Sequence, residues 1–138
     1  MAVNLNFTVT INDLKEILKR VKLKGKFKKE NEENEKNLRK VIISFYKASS
    51  FAIELSKKEN LQLDLYYPSE LMNPKNTWEK FKTTNKLISI PISLELCIDQ
   101  LCDKFCMETL SSQQYKEVSI YFKQIADDFE LQYEQLNT

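Results

Sequence analysis

With 138 residues, 42% hydrophobic and 30% charged, the chain has the balance of one globular domain able to bury a core without metal or disulfide staples, which argues against wholesale disorder. One glycine and three prolines leave too few tight turns for an all-β fold, so helices are predicted. Net charge is only +1, yet residues 1–47 carry a net +6 and residues 48–138 a net −5. That asymmetry fits either a polyanion-binding end or head-to-tail contact between copies.

The first residues, MAVNLNFTVTINDLKE, lack a basic stretch leading into a long apolar core, and no 18 apolar residues run together anywhere. No signal peptide or membrane span is expected, and a cytoplasmic setting follows. The alternation of Leu5, Phe7 and Val9 predicts an extended N-terminal arm. Residues 12–24 then place Leu14, Ile17, Leu18 and Val21 at helical spacing, with Asn12 as N-cap and Gly25 as the residue that ends the helix. A basic amphipathic segment of this kind can also lie on a membrane surface, but it lacks the Trp and Phe that anchor there.

Residues 26–36 are too polar for a core and read as a linker or the exposed first turns of the next helix. Leu38, Val41, Ile42, Phe45, Ser49, Ala52 and Ile53 predict a long central helix to about Lys58, with small residues at 48–50 for close approach. A long irregular connection is expected near 59–76, where Leu61, Leu63 and Leu65 alternate and Pro68 and Pro74 bracket a turn. Asn76 and Glu79 have capping-box spacing ahead of a short helix carrying Trp78, Phe81 and Leu87. Pro91 opens a fourth helix with Leu94, Ile98, Leu101 and Phe105. Ser111 and Gln114 cap a fifth, in which Tyr115, Val118, Phe122, Ile125, Phe129 and Leu136 form one stripe broken only by Gln132. The predicted fold class is all-α: a single helical domain over 1–138, built as a compact bundle of about five helices.

Catalytic chemistry has little to work with. There is no histidine, and a single glycine supplies neither a phosphate-cradling loop nor a nucleophile elbow. The expectation is no enzyme, no catalytic residue, no cofactor and no small-molecule substrate. Cys97, Cys102 and Cys106 are an odd number without close pairing, as in a reducing compartment, and read as small core hydrophobes rather than zinc ligands. Glu95, Asp99 and Asp103 share a helical stripe and read as a solvated face rather than a metal site.

One stretch is different in kind. Lys19, Arg20, Lys22, Lys24, Lys26, Lys28 and Lys29 crowd into eleven residues, and like charges at this density call for a counter-charge such as a nucleic-acid backbone. Phe27 among them could stack on an unpaired base, and Trp78, Lys80, Phe81, Lys82 and Lys86 form a second mixed cluster. The competing view is a solvated connection, because Glu30, Glu32, Glu33 and Glu35 follow at once and could pair with the lysines.

In size, all-helical character, absence of catalytic residues and basic first third, the chain resembles the small helical subunits of CRISPR interference (Cascade-type) complexes. The resemblance implies a subunit that packs head to tail with other protein subunits or copies of itself and helps hold guide RNA or displaced single-stranded DNA. Lys19 to Lys29, with Arg39 and Lys40, would then touch phosphate. Arginine does much of such work elsewhere, and this chain has two against 19 lysines. The alternative is a helical protein-interaction module, an adaptor, inhibitor or immunity-type protein, for which Trp78, Tyr121 and Tyr133 together on the surface would speak.

Overall fold

The computed structural model describes residues 9–57 and 73–137. The extended arm with Leu5 and Phe7, and most of the irregular connection near 59–76, lie outside the described residues. Five α-helices and one two-stranded ribbon make up the described part, an all-α bundle as predicted.

Helix α1 spans Ile11–Leu18 and is capped by Thr10, whose hydroxyl oxygen accepts from the Asp13 backbone N–H at 3.2 Å. Its buried face is Leu14, Ile17 and Leu18. The helix stops six residues short of the predicted end. Arg20 N–H donates to the Ile17 carbonyl and Val21 N–H to that of Leu18, a tightened turn that still delivers Val21 to the core. Strand β1 (Lys22–Leu23) then pairs antiparallel with β2 (Ile88–Ser89), with Lys22 opposite Ser89 and Leu23 opposite Ile88. Continued helix would have stacked Lys22 and Lys26 one turn apart, whereas the ribbon spreads the cations and satisfies the backbone. Gly25 therefore closes no helix; it lies beyond the ribbon with open space around it.

After a 3₁₀ turn at Lys29–Asn31, α2 runs Glu32–Lys57. Glu32, Glu33 and Glu35 in its first turn complement the positive end of the helix dipole. Leu38, Val41, Ile42, Phe45 and Ala52 are buried as predicted, while Ile53 is only half-buried and Leu55 is in the core. Helix α3 (Pro74–Thr84) is capped by Asn73, whose side-chain oxygen accepts from Lys75 N at 2.9 Å, with Pro74 at the first helical position. The predicted Asn76 and Glu79 cap is thus displaced by a better pair three residues earlier, since proline at the first helical position has a helix-ready φ and no N–H left to satisfy. Leu87 is buried in the link to β2, not on the helix.

Asn85 builds that link. Its side-chain oxygen accepts from Leu87 N and Ile88 N, both at 3.1 Å, and its amide donates to the Ile88 carbonyl at 2.6 Å. Helix α4 (Ile92–Met107) follows Pro91. Helix α5 (Ser112–Leu136) opens with the predicted capping box, Ser111 with Gln114.

The central seam is α2 against α5. Small residues let the backbones close: Ser49 and Ser119 exchange hydrogen bonds with each other's carbonyls, both at 2.9 Å. Around that seam Phe45 meets Phe122 at a centroid distance of 5.1 Å, and Phe105 meets Phe122 edge-on at 5.4 Å. Trp78, Phe81 and Phe129 complete the ring cluster. Asn34 ties the start of α2 to the end of α3, donating to the Thr84 carbonyl and accepting from Lys86 N at 2.8 Å.

Candidate nucleic-acid interface

The basic segment 19–29 is a strap laid across the bundle between α1 and α2. It is fixed at three points: the β1/β2 pairing, the Lys24 N–H donated to the Leu87 carbonyl at 2.7 Å, and Phe27. Phe27 is half-buried, its ring 5.0 Å from that of Tyr133 on α5. Tyr133 in turn donates its hydroxyl to Glu35 at 3.1 Å. Stacking on a base, expected of Phe27 from sequence, would mean leaving this contact; the residue is a clamp for the strap.

Facing residues in an antiparallel pair share one side of the ribbon. Ile88 is fully buried and its partner Leu23 shares that side but is still 39% exposed, while Lys22 and Ser89 face solvent. The two-residue spacing of Lys22, Lys24, Lys26 and Lys28 sets successive lysine Cα atoms about 6–7 Å apart, on one side, wherever the chain is extended. All four, and Lys29, are exposed. Among the described residues none of these five meets a carboxylate within ion-pair distance. The following glutamates do not neutralise them: Glu35 is engaged with Tyr133 instead.

The other predicted contact residues differ. Lys19 is exposed but paired with Glu16 at 3.0 Å. Arg20 is exposed and donates to Ser93 Oγ at 3.4 Å, linking the strap to the first turn of α4. Arg39 sits on α2 beside a shallow cavity of about 290 Å³ shared with Glu32, Glu33, Glu35 and Lys36, so its surroundings are of mixed charge. Lys40 is half-buried. The strap lysines are thus one group and Arg39 another, with no strap lysine lining that cavity.

The second aromatic and basic cluster is structural. Trp78 and Phe81 are buried at 0% and 1% exposure, out of reach of any base. Trp78 donates its indole N–H to Asp99 at 2.6 Å, and Lys82 bridges Asp99 at 3.0 Å and Glu79 at 3.4 Å. Burial pulls the Lys82 ammonium down, but its bond and charge attraction to Asp99, with Glu79 adding, hold it above its ordinary range. Asp103 pairs with Lys75 at 3.0 Å. The acidic stripe of α4, expected to be a solvated face, is therefore half of the α3/α4 contact. The placement of Lys82 one helical turn after Trp78 was the only sequence hint of this, and it does not single out its partner.

Tyr121 is buried too, its hydroxyl donating to the Val9 carbonyl at 2.7 Å, so Trp78, Tyr121 and Tyr133 form no surface stripe. The apolar side of α1 is spent on the core rather than left for a membrane, and no helix among the described residues is long and apolar enough to cross one. Cys97 and Cys102 are buried as expected, but Cys106 is only half-buried, with Sγ 3.4 Å from Asn73 Oδ1. Burial pushes the Cys97 thiol up to about 12 and that of Cys102 well above its ordinary value, which leaves both protonated and unreactive. No group of three or more Cys, Asp or Glu among the described residues gathers in a way that could hold a metal ion.

Nothing in the residue pattern singles out Tyr46. Its hydroxyl lies 2.5 Å from Asp127 and 2.6 Å from Glu130, a polar link across the α2/α5 seam. Burial first, and then these two acceptors, push the phenol above its ordinary value and keep it neutral.

Comparison of the chain with protein-family models, with curated proteins and with solved structures found no match.

Proposed function

We propose that this chain is a non-catalytic helical subunit that holds nucleic-acid backbone along the strap, through Lys22, Lys24, Lys26, Lys28 and Lys29. What supports it is a single observation: five exposed ammonium groups, without carboxylate partners among the described residues, on a segment anchored at both ends by backbone pairing and by Phe27. An anchored backbone has little freedom left to lose when its lysines meet phosphate, and each phosphate neutralised releases condensed counterion. Lysine makes point contacts, and the buried state of Trp78 and Phe81 leaves these rings unable to read or stack bases, so little sequence preference is expected. A protein-interaction module is less well supported because two of the three aromatic anchors it would use are buried.

A narrower form of the same proposal is the small subunit of a CRISPR interference complex. The opposite net charges of residues 1–47 and 48–138 favour head-to-tail packing of such a subunit.

The test is fluorescence anisotropy with labelled single-stranded RNA, single-stranded DNA and duplex DNA over a salt series. A variant with Lys24, Lys26, Lys28 and Lys29 changed to Gln runs beside the parent chain. Binding should weaken steeply with salt, and the log–log slope should shrink by about 3 to 4 in the variant. Absence of binding at low salt by a folded chain, or an unchanged slope in the variant, overturns it.

A further inference from the structure

Three side-chain oxygens on α5 are buried without a hydrogen-bond partner among the described residues: Gln124 Oε1, Asp128 Oδ2 and Gln132 Oε1. They recur every four residues, so they stack one above another along a single stripe of the helix. Buried acceptors left unpaired are rare, because each forfeits its bond to water. Three in one row, one of them a carboxylate, point to a missing donor.

The stripe lies on a definite flank. Asp128 is two turns beyond Tyr121, whose hydroxyl meets the Val9 carbonyl just ahead of α1, and α5 packs against α1 and β1 on this side. On its own helix the neighbours one turn away are Gln124, Ile125, Leu131 and Gln132, none of them titratable. Among the described residues no ammonium or guanidinium of α1, β1, α2 or α4 reaches it; burial is the sole influence on its carboxyl. Each glutamine amide also carries two N–H donors, but it is the oxygens of Gln124 and Gln132 that are turned inward, and oxygens cannot donate to one another; Asp128 is the only member of the row that can acquire an O–H.

We propose that the Gln124, Asp128 and Gln132 stripe is a proton-binding site, in which the protonated Asp128 carboxyl donates to a flanking glutamine oxygen and loss of that proton destabilises the packing of α5. One proton then satisfies two of the three orphan acceptors and removes an uncompensated charge. Burial pushes the Asp128 carboxyl up to about 6. A folded chain that binds this proton more tightly than the unfolded one is most stable below the ordinary aspartate range, near pH 4, and loses that stability as pH rises through about 6. This is the reverse of a salt-bridged aspartate, and it does not depend on what the strap binds.

Thermal melts of the parent chain and Asp128→Asn at pH 4.5 and 7.5 test it. Asparagine carries a permanent donor, so the parent should lose roughly 4 °C more than the variant between the two pH values, about half of what a fully sealed carboxyl would give. The variant should also melt no lower than the parent at pH 7.5. Parallel losses in both chains overturn the proposal. So does a rise in the parent's melting temperature at pH 7.5 on adding calcium or magnesium that the variant lacks, which would make the stripe a cation site. If the variant fails to fold, a carbon-13 NMR titration of the Asp128 carboxyl in the parent decides: a midpoint near 6 supports the site, and one near 4 overturns it.

Discussion

The α2/α5 seam and the strap at 19–29 solve opposite problems. Along the seam, Phe45, Ala48, Ala52, Phe122, Ile125 and Phe129 are all but sealed from water, and even the hydroxyls of Ser49 and Ser119 are paired. Along the strap, Leu23 and Phe27 are the only large apolar side chains past Val21, and among the described residues the lysines from Lys22 to Lys29 meet no carboxylate. Stability is concentrated in one region and charge in the other, so either can be altered with little effect on the other.

The sharpest way to break that separation is Phe45→Ala, which empties a site touching Trp78, Phe122 and Phe129. A loss of about 3–5 kcal/mol is expected in urea denaturation, enough to threaten folding. Asn34→Ala is next: it orphans the Thr84 carbonyl and the Lys86 N–H together, and should cost about 2 kcal/mol by the same measurement. Ser111→Ala removes one arm of the α5 capping box and should cost about 1 kcal/mol. At the other extreme, changing Lys24, Lys26, Lys28 and Lys29 to Gln should move stability by no more than about 0.5 kcal/mol while reducing affinity for polyanions. A large loss of stability there would mean that the strap is part of the core after all.

The helices were legible because their periodicity is local. Tyr115, Val118, Phe122, Ile125, Phe129 and Leu136 recur at helical spacing and are buried together. The ribbon was not legible, since two residues are too few for an alternating pattern and the partner of Lys22 is Ser89, far along the chain. Val21 misled in an instructive way: it sits at the spacing of a continued helix and is buried, but through a tightened turn. The charge of the candidate site is visible in sequence as a density, but which basic residues have partners is not. Trp78, Phe81 and Lys82 look like a binding cluster until Asp99 is seen to take both the indole and the ammonium. The Asp99 stripe and the Asn73 cap both turn on which of several equivalent polar residues finds a partner, and spacing alone does not decide between equals.

The pairing of α2 with α5 has a consequence during synthesis. α2 ends at Lys57, but the surface that covers Val41, Phe45 and Ala48 comes from a helix that is complete only at Leu136. At about 5–20 residues per second, a ribosome needs roughly 4 to 16 s to make the intervening stretch. Until then α3 can cover part of α2, but the side of α2 that meets α5 stays exposed, which makes the nascent chain a substrate for chaperones that bind such faces. A chain truncated before Ser112 should therefore accumulate as aggregate rather than as a smaller fold.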